Sequence, residues 1–164
     1  MNQSFAALLL AARRERQLVI ATALTDGAPS GQARQARLAQ QQGAGAAELR
    51  ADLLADPAQV RAALTAVRAA SSLPLLLTYR STTEGGKGAG HGQGYEDYLA
   101  SLLQLRPAVA AVDIEMACPA SKALVAEAKA VGYDVVGSCH DFTATPSAAQ
   151  ITQKLAQITA AGAD

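Results

Sequence analysis

Leu73-Pro74-Leu75-Leu76-Leu77-Thr78-Tyr79-Arg80-Ser81-Thr82-Thr83-Glu84-Gly85-Gly86 is the stretch whose reading decides the fold. Its first half, residues 73–79, is an apolar run of strand length; its second half is polar and ends in glycines. Thr78 and Arg80 are two apart, so a strand presents them on one face, with Glu84 in the loop above. A Gly-rich connection follows over residues 85–94, where glycines permit close backbone approach or the motion of a lid. No Gly-Lys-Ser/Thr follows, so the loop is not a phosphate-binding P-loop.

The same unit recurs on both sides. Upstream, residues 17–24 form a short β-branched run bounded by Asp26, Gly27 and Pro29, and residues 30–42 read as a helix. Gly43 and Gly45 end that helix, and residues 46–50 fit a second strand. Asp56-Pro57 opens the next helix, with Asp as N-cap and Pro in the first turn, and Val60, Leu64 and Val67 follow at helical spacing. Downstream come a helix over 95–105, a strand over 109–115, a helix from Pro119 to near Gly132, a strand over 134–138 and a helix from Thr145-Pro146-Ser147 to about 161. Strand and helix alternate five times with short connections, which predicts an α/β protein with a parallel sheet. Apolar strands with little alternation suggest cover on both faces. The pattern leaves a barrel and an open doubly wound sheet both open. Either places functional groups at the carboxyl ends of the strands.

The sequence has 164 residues, one domain's worth, with Lys plus Arg at 14 balancing Asp plus Glu at 14. That balance gives no overall field for nucleic acid or an anionic membrane. No apolar run is long enough to span a bilayer. Residues 1–16 resemble a signal peptide only superficially, because Arg13, Arg14 and Arg16 follow the apolar run instead of preceding it. They read as an N-terminal helical extension to a domain over 17–164, in a cytoplasmic protein. Cys118 and Cys139 form no Cys-x-x-Cys pair and suggest reduced thiols.

Several strand ends carry polar groups. The second carries Glu48 and Arg50 on one face, a costly pair in an interior unless joined to each other or to a ligand. The fourth carries Asp113 and Glu115 on one face. The fifth ends in Ser138-Cys139-His140-Asp141-Phe142, and a histidine just past a strand end suits general acid–base work. His140, His91 and the cysteines lack a recognised metal-ligand spacing, so no metal is expected.

Four segments together resemble the type I 3-dehydroquinate dehydratase family: Glu48-Leu49-Arg50-Ala51-Asp52, Tyr79-Arg80-Ser81-Thr82-Thr83-Glu84-Gly85-Gly86, Val112-Asp113-Ile114-Glu115, and Ser138-Cys139-His140-Asp141-Phe142 with Thr145-Pro146. They occur in the family's order on successive strands. The resemblance implies part of a (β/α)8 TIM barrel, with about five parallel βα units present and closure not achieved by this chain alone. It implies a lyase that converts 3-dehydroquinate to 3-dehydroshikimate and water in the shikimate pathway, without a cofactor. In that family a lysine forms an imine with the substrate ketone, which acidifies the neighbouring C–H for a histidine to deprotonate. Carried over by position, His140 is the acid–base group and Glu84 its orienting carboxylate. Glu48, Arg50 and Arg80 match substrate-contacting positions, and Asp113 and Glu115 match a supporting strand segment.

The family's serine on the first strand is matched here by Ala21. Its imine-forming lysine lies on the sixth strand, a few residues past a Gly-Ala-Asp motif, whereas the sequence ends at Gly162-Ala163-Asp164. Lys87, Lys122, Lys129 and Lys154 match no imine position. The expectation is therefore an N-terminal portion of the family, inactive at this length. The competing expectation is a non-catalytic partial barrel that binds a polyol acid, or pairs with a second copy through open sheet edges.

Overall fold

The structure, a computed structural model, describes residues 4–54, 56–105 and 108–164. The first three residues of the expected extension lie outside them. Five parallel strands form one sheet in the order of the sequence: β1 Ala21–Leu24, β2 Ala46–Arg50, β3 Leu75–Thr78, β4 Ala111–Glu115 and β5 Asp134–Ser138. That order decides between the two architectures left open by the pattern. A doubly wound sheet reverses its strand order at a switch point, and this sheet never does. The chain forms five successive βα units of an unclosed β/α barrel.

The crossover helices are α2 Pro29–Gln41, α3 Pro57–Ala70, α4 Gln93–Leu103 and α5 Ser121–Ala130; α6 Ala148–Ala161 follows β5. Asp56 caps α3 by accepting from the Gln59 amide at 2.8 Å, as its position before Pro57 predicts. Proline-led α5 starts two residues later than expected, because Cys118 to Ala120 form a turn closed by the Ser121 amide donating to the Cys118 carbonyl. β1 is shorter than the expected 17–24: Leu18 and Ile20, 95% and 64% exposed, precede its pairing with β2, which begins at Ala21 opposite Ala46.

The two faces of the sheet differ more than the apolar runs suggest. Outward residues Leu49, Leu75, Leu77, Val112, Ile114 and Val135 are buried with α2 to α5 in one large cluster. Complete burial of each such side chain is worth roughly 1.5–3 kcal/mol, so this layer supplies most of the fold's stability. The inward residues change along the strand. At the amino end they are small or apolar, and at the carboxyl end they are charged.

The apolar floor is covered by α1, Phe5–Glu15. Phe5 is buried against Ala46, Leu76, Ala110 and Ala111, all on the inner side. Asp134, the first residue of β5, accepts from the Ser4 hydroxyl at 2.7 Å and from the Ala6 amide at 2.9 Å. A carboxylate there satisfies an otherwise orphaned donor and suits the positive end of the helix. No helix of the described residues is long and apolar enough to cross a membrane.

Candidate active site

Arg80 is the centre of the charged end. Its guanidinium, with only 9% of the side chain exposed, lies 3.0 Å from Asp113, 3.0 Å from Glu115 and 3.5 Å from Glu84. It also donates to the Ser138 hydroxyl at 2.9 Å, and that hydroxyl donates to Asp113 at 2.8 Å. Register explains the convergence. Glu115 is level with Ser138 across β4–β5, and Asp113 lies one inward position earlier. One cation therefore serves three buried carboxylates, an arrangement that needs further hydrogen bonds to be tolerated.

Those bonds set the electrostatics. Burial pushes the Asp113 carboxyl up to about 6, with Arg80 and Ser138 pulling back only part of the way. Burial acts the same way on Glu115, but donors from Ser81 and His91 together with the Arg80 charge outweigh it, and its carboxyl stays below the usual range. Glu115 receives the Ser81 amide at 2.8 Å, the Ser81 hydroxyl, and His91 Nε2 at 2.6 Å. Burial opposes the Arg80 charge, but Asp113 and Glu115 more than compensate and raise its proton affinity.

Glu84 sits in a short 3-10 turn, Thr82–Glu84, after β3. Ser81 starts that turn: its hydroxyl accepts from the Glu84 amide at 3.2 Å. One Glu84 oxygen then accepts from both the His140 amide, at 3.1 Å, and His140 Nδ1, at 2.7 Å. Because a carboxylate only accepts, Nδ1 is the donor, and in the neutral ring Nε2 then carries the lone pair. The His140 side chain is 37% exposed, and its ring stacks with Phe142 at 6.2 Å.

Arg50 and Glu48 share the inner face, as expected, but Arg50 is bound elsewhere. It makes a bidentate pair with Asp52, Nε to Oδ1 at 2.8 Å and Nη2 to Oδ2 at 2.7 Å. Asp52 was within a quoted motif but had no expected role, and it does more. Its carboxylate, held low by Arg50 against the opposing effect of burial, accepts from the Lys87 amide at 3.1 Å. Glu48 is half-buried beside them.

The Gly-rich loop is anchored. Gly88 exchanges amide and carbonyl bonds with the Arg80–Thr82 backbone, at 2.9 and 3.1 Å. The Ala89 amide donates to the Tyr79 hydroxyl at 2.8 Å, and Tyr79 stacks on Tyr98 at 4.2 Å. A Cβ on Gly86 would lie 2.2 Å from the Arg80 carbonyl. Close approach is therefore the reason for glycine here, and the structure gives no support to a lid.

Arg50, Arg80, Glu84 and His140 lie at or just past the carboxyl ends of their strands, whereas Glu48 is mid-strand in β2, paired with Leu76. Sequence reasoning passed over Asp52, Ser81, Ser138 and His91; the first three stood inside the quoted motifs, two or fewer positions from assigned residues. His91 carried no such signal. Glu84, His91 and Glu115 do offer ligand atoms within 4.8 Å of one another. Spacing along the chain did not reveal that grouping. Its atoms already bond His140, Ser81 and each other, with Arg80 supplying the cation, so it reads as a hydrogen-bonded ion cluster.

A type I 3-dehydroquinase family model matches residues 20–164. A 3-dehydroquinate dehydratase from Methanosarcina acetivorans is 36% identical over 130 residues, covering 77% of this chain and 54% of that protein. One from Klebsiella pneumoniae is 37% identical over 115 residues, covering 65% and 43%. The chain thus spans about half the length of the curated relatives it matches. Among solved structures, a 3-dehydroquinate dehydratase from Enterococcus faecalis superposes with a TM-score of 0.79 at 28% identity, covering 88% of this chain and 62% of that one. A type I enzyme from Clostridium difficile gives 0.80 at 22% identity, covering 88% and 60%, and shows the same fold. Matched along most of its length by the family model and by these relatives, the chain belongs to the type I 3-dehydroquinase family.

Proposed function

We propose that these residues form the acid–base and substrate-orienting half of a site that dehydrates 3-dehydroquinate to 3-dehydroshikimate in the shikimate pathway. The observation that carries the reading is the Glu84–His140 pair, Nδ1 bonded at 2.7 Å, at the open end of the sheet. With Nδ1–H given to Glu84, Nε2 can take a proton from carbon beside an imine carbon. The bonding pair of that C–H flows into the imine, giving an enamine. When the enamine collapses, the C–O bond of the leaving hydroxyl breaks and Nε2–H gives the proton back to it as water. His140 ends as it began, and Glu84 stabilises the transient imidazolium. Arg50, Arg80 and Glu48 hold the ring's hydroxyl and carboxylate substituents. Such groups suit a low-molecular-weight polyol acid in a cytoplasmic setting.

The imine requires an amine, and among the described residues no lysine is bonded into the charged inner cluster. Lys87 is exposed on the anchored loop, and Lys129 pairs with Asp164 at 2.6 Å. Lys122 is exposed on α5. Lys154, half-buried on α6, lines a groove that also takes in Ser138, Cys139 and His140, but it is not bonded into the charged cluster around Arg80. The chain alone therefore binds and orients but does not turn over. Incubation with 3-dehydroquinate and borohydride, read by intact mass, tests this. No adduct is expected here, while a full-length family member run alongside gains one ligand mass. A single added ligand mass on this chain would sink the claim.

The five-stranded sheet also has two unpaired edges, β1 and β5. Strand edges with apolar neighbours such as Ile20 and Leu38, 64% and 51% exposed, favour pairing with a second copy. Self-association is the second reading, compatible with the first.

A further inference from the structure

His91 stands outside every motif that brought the chain to its family, yet it is bonded into the same buried cluster. Its Nε2 lies 2.6 Å from Glu115 Oε2, and its ring meets Tyr95 edge-on with centroids 5.4 Å apart. The His91 amide donates to the Thr83 hydroxyl at 3.3 Å, which fixes its backbone to the turn that carries Glu84. Only 11% of its side chain is exposed.

From Glu115 two routes lead to His140. The other carboxylate oxygen, Oε1, lies 3.0 Å from Arg80, and Arg80 lies 3.5 Å from the Glu84 oxygen that holds His140. Through the other route, Glu115 accepts the Ser81 hydroxyl and amide, and Ser81 caps the turn bearing Glu84. Glu115 is fully buried, so the orientation of its two oxygens is set by its donors and not by water. We propose that His91 is a positioning residue that locks Glu115 and, through Arg80 and Ser81, holds Glu84 against His140 Nδ1.

The physical requirement is specific. His91 must donate Nε2–H, because an ionised Glu115 can only accept. Loss of that donor leaves Glu115 Oε2 with one donor fewer, the Ser81 hydroxyl remaining, and Glu115 compensates by turning toward Arg80. Arg80 is then drawn from Glu84. The tautomer of His140 loses its anchor, since Glu84 is what favours Nδ1–H over the Nε2–H form that free imidazole prefers.

The inference rests on the proposed acid–base role only for its relevance to catalysis; the coupling itself is measured without turnover. Ring nitrogens of histidine-labelled full chain are followed by long-range proton–nitrogen correlation at a fixed, mildly alkaline pH. In the unsubstituted chain His91 is expected in the Nε2–H form and His140 in the Nδ1–H form. His91→Phe is expected to move the His140 ring nitrogens toward the opposite tautomer, and His91→Gln, which keeps a donor, to restore them. Unchanged His140 signals in a folded His91→Phe chain would overturn the proposal. So would a His91 found in the Nδ1–H form, a result that needs no substitution and survives any variant that does not fold. Coupling without a dehydratase role for His140 would sink the functional reading alone.

Discussion

At the scale of single residues, the chemistry depends on how one guanidinium is shared. Arg80 faces Glu84, Asp113 and Glu115, all with side chains no more than 5% exposed. Removing it by Arg80→Met strands three buried carboxylates, and unfolding in urea is expected to show a loss of ~3–5 kcal/mol. A change below about 1 kcal/mol would mean the cluster is solvated, against its burial. The pH dependence follows from Asp113. Its carboxyl is raised to about 6 in the folded protein, above its unfolded value, so between the two the folded state holds the extra proton. Its contribution to stability is therefore present at low pH and is lost as the pH rises from about 4 to 6, on the order of 3 kcal/mol. Glu115 and Asp52, whose carboxyls are lowered, act oppositely and lose stability as the pH falls below the usual carboxylate range. Comparing the native chain with Asp113→Asn across that range isolates the first effect: the native chain's advantage should shrink as the pH rises.

At the scale of elements, the loop after β3 and the helix before β1 can be tested separately. Gly86→Ala puts a methyl 2.2 Å from the Arg80 carbonyl, and nothing flexible can yield there. Thermal unfolding is expected at a clearly lower temperature, equivalent to a loss of 1–3 kcal/mol, roughly the cost of overpacking. For α1, Phe5→Ala empties the cover over Ala46, Leu76 and Ala111, with an expected loss of about 3–5 kcal/mol. The helix α6 has no buried residue and is tied by Ile158 against Gly137 and by Asp164 to Lys129 and the Val135 amide. It should exchange its amides well before α3, which buries Val60, Ala63, Leu64 and Val67.

The elements were legible because their punctuation is local. Asp56-Pro57 and Thr145-Pro146-Ser147 mark helix starts within a residue or two, and β2 and β5 fall where the apolar runs place them. The inner charged layer was legible in part, since Glu48 with Arg50 and Asp113 with Glu115 obey a two-residue period. Which partner each takes was not. Arg50 turns to Asp52 in the short turn that directly follows β2, whereas Arg80 reaches β4 and β5, an outcome that depends on register between strands, which no single segment encodes. His91 shows the same limit most clearly: its partner is 24 positions away and reached only through the fold.

At the scale of the whole molecule, five βα units combine one apolar outer layer with a charged inner end. Among the described residues the sheet is unclosed, with β1 and β5 at its edges. Sedimentation over a range of concentration is expected to show association driven by the β1 and β5 edges. The Glu84–His140 pair and its arginine neighbours are expected to recognise 3-dehydroquinate without an amine of their own. Titrating 3-dehydroquinate into histidine-labelled chain tests it most directly. His140 ring signals should move progressively in fast exchange, as for binding on the order of millimolar, and His91 signals should follow more weakly. His140 signals that stay in place as the ligand reaches such concentrations would contradict it.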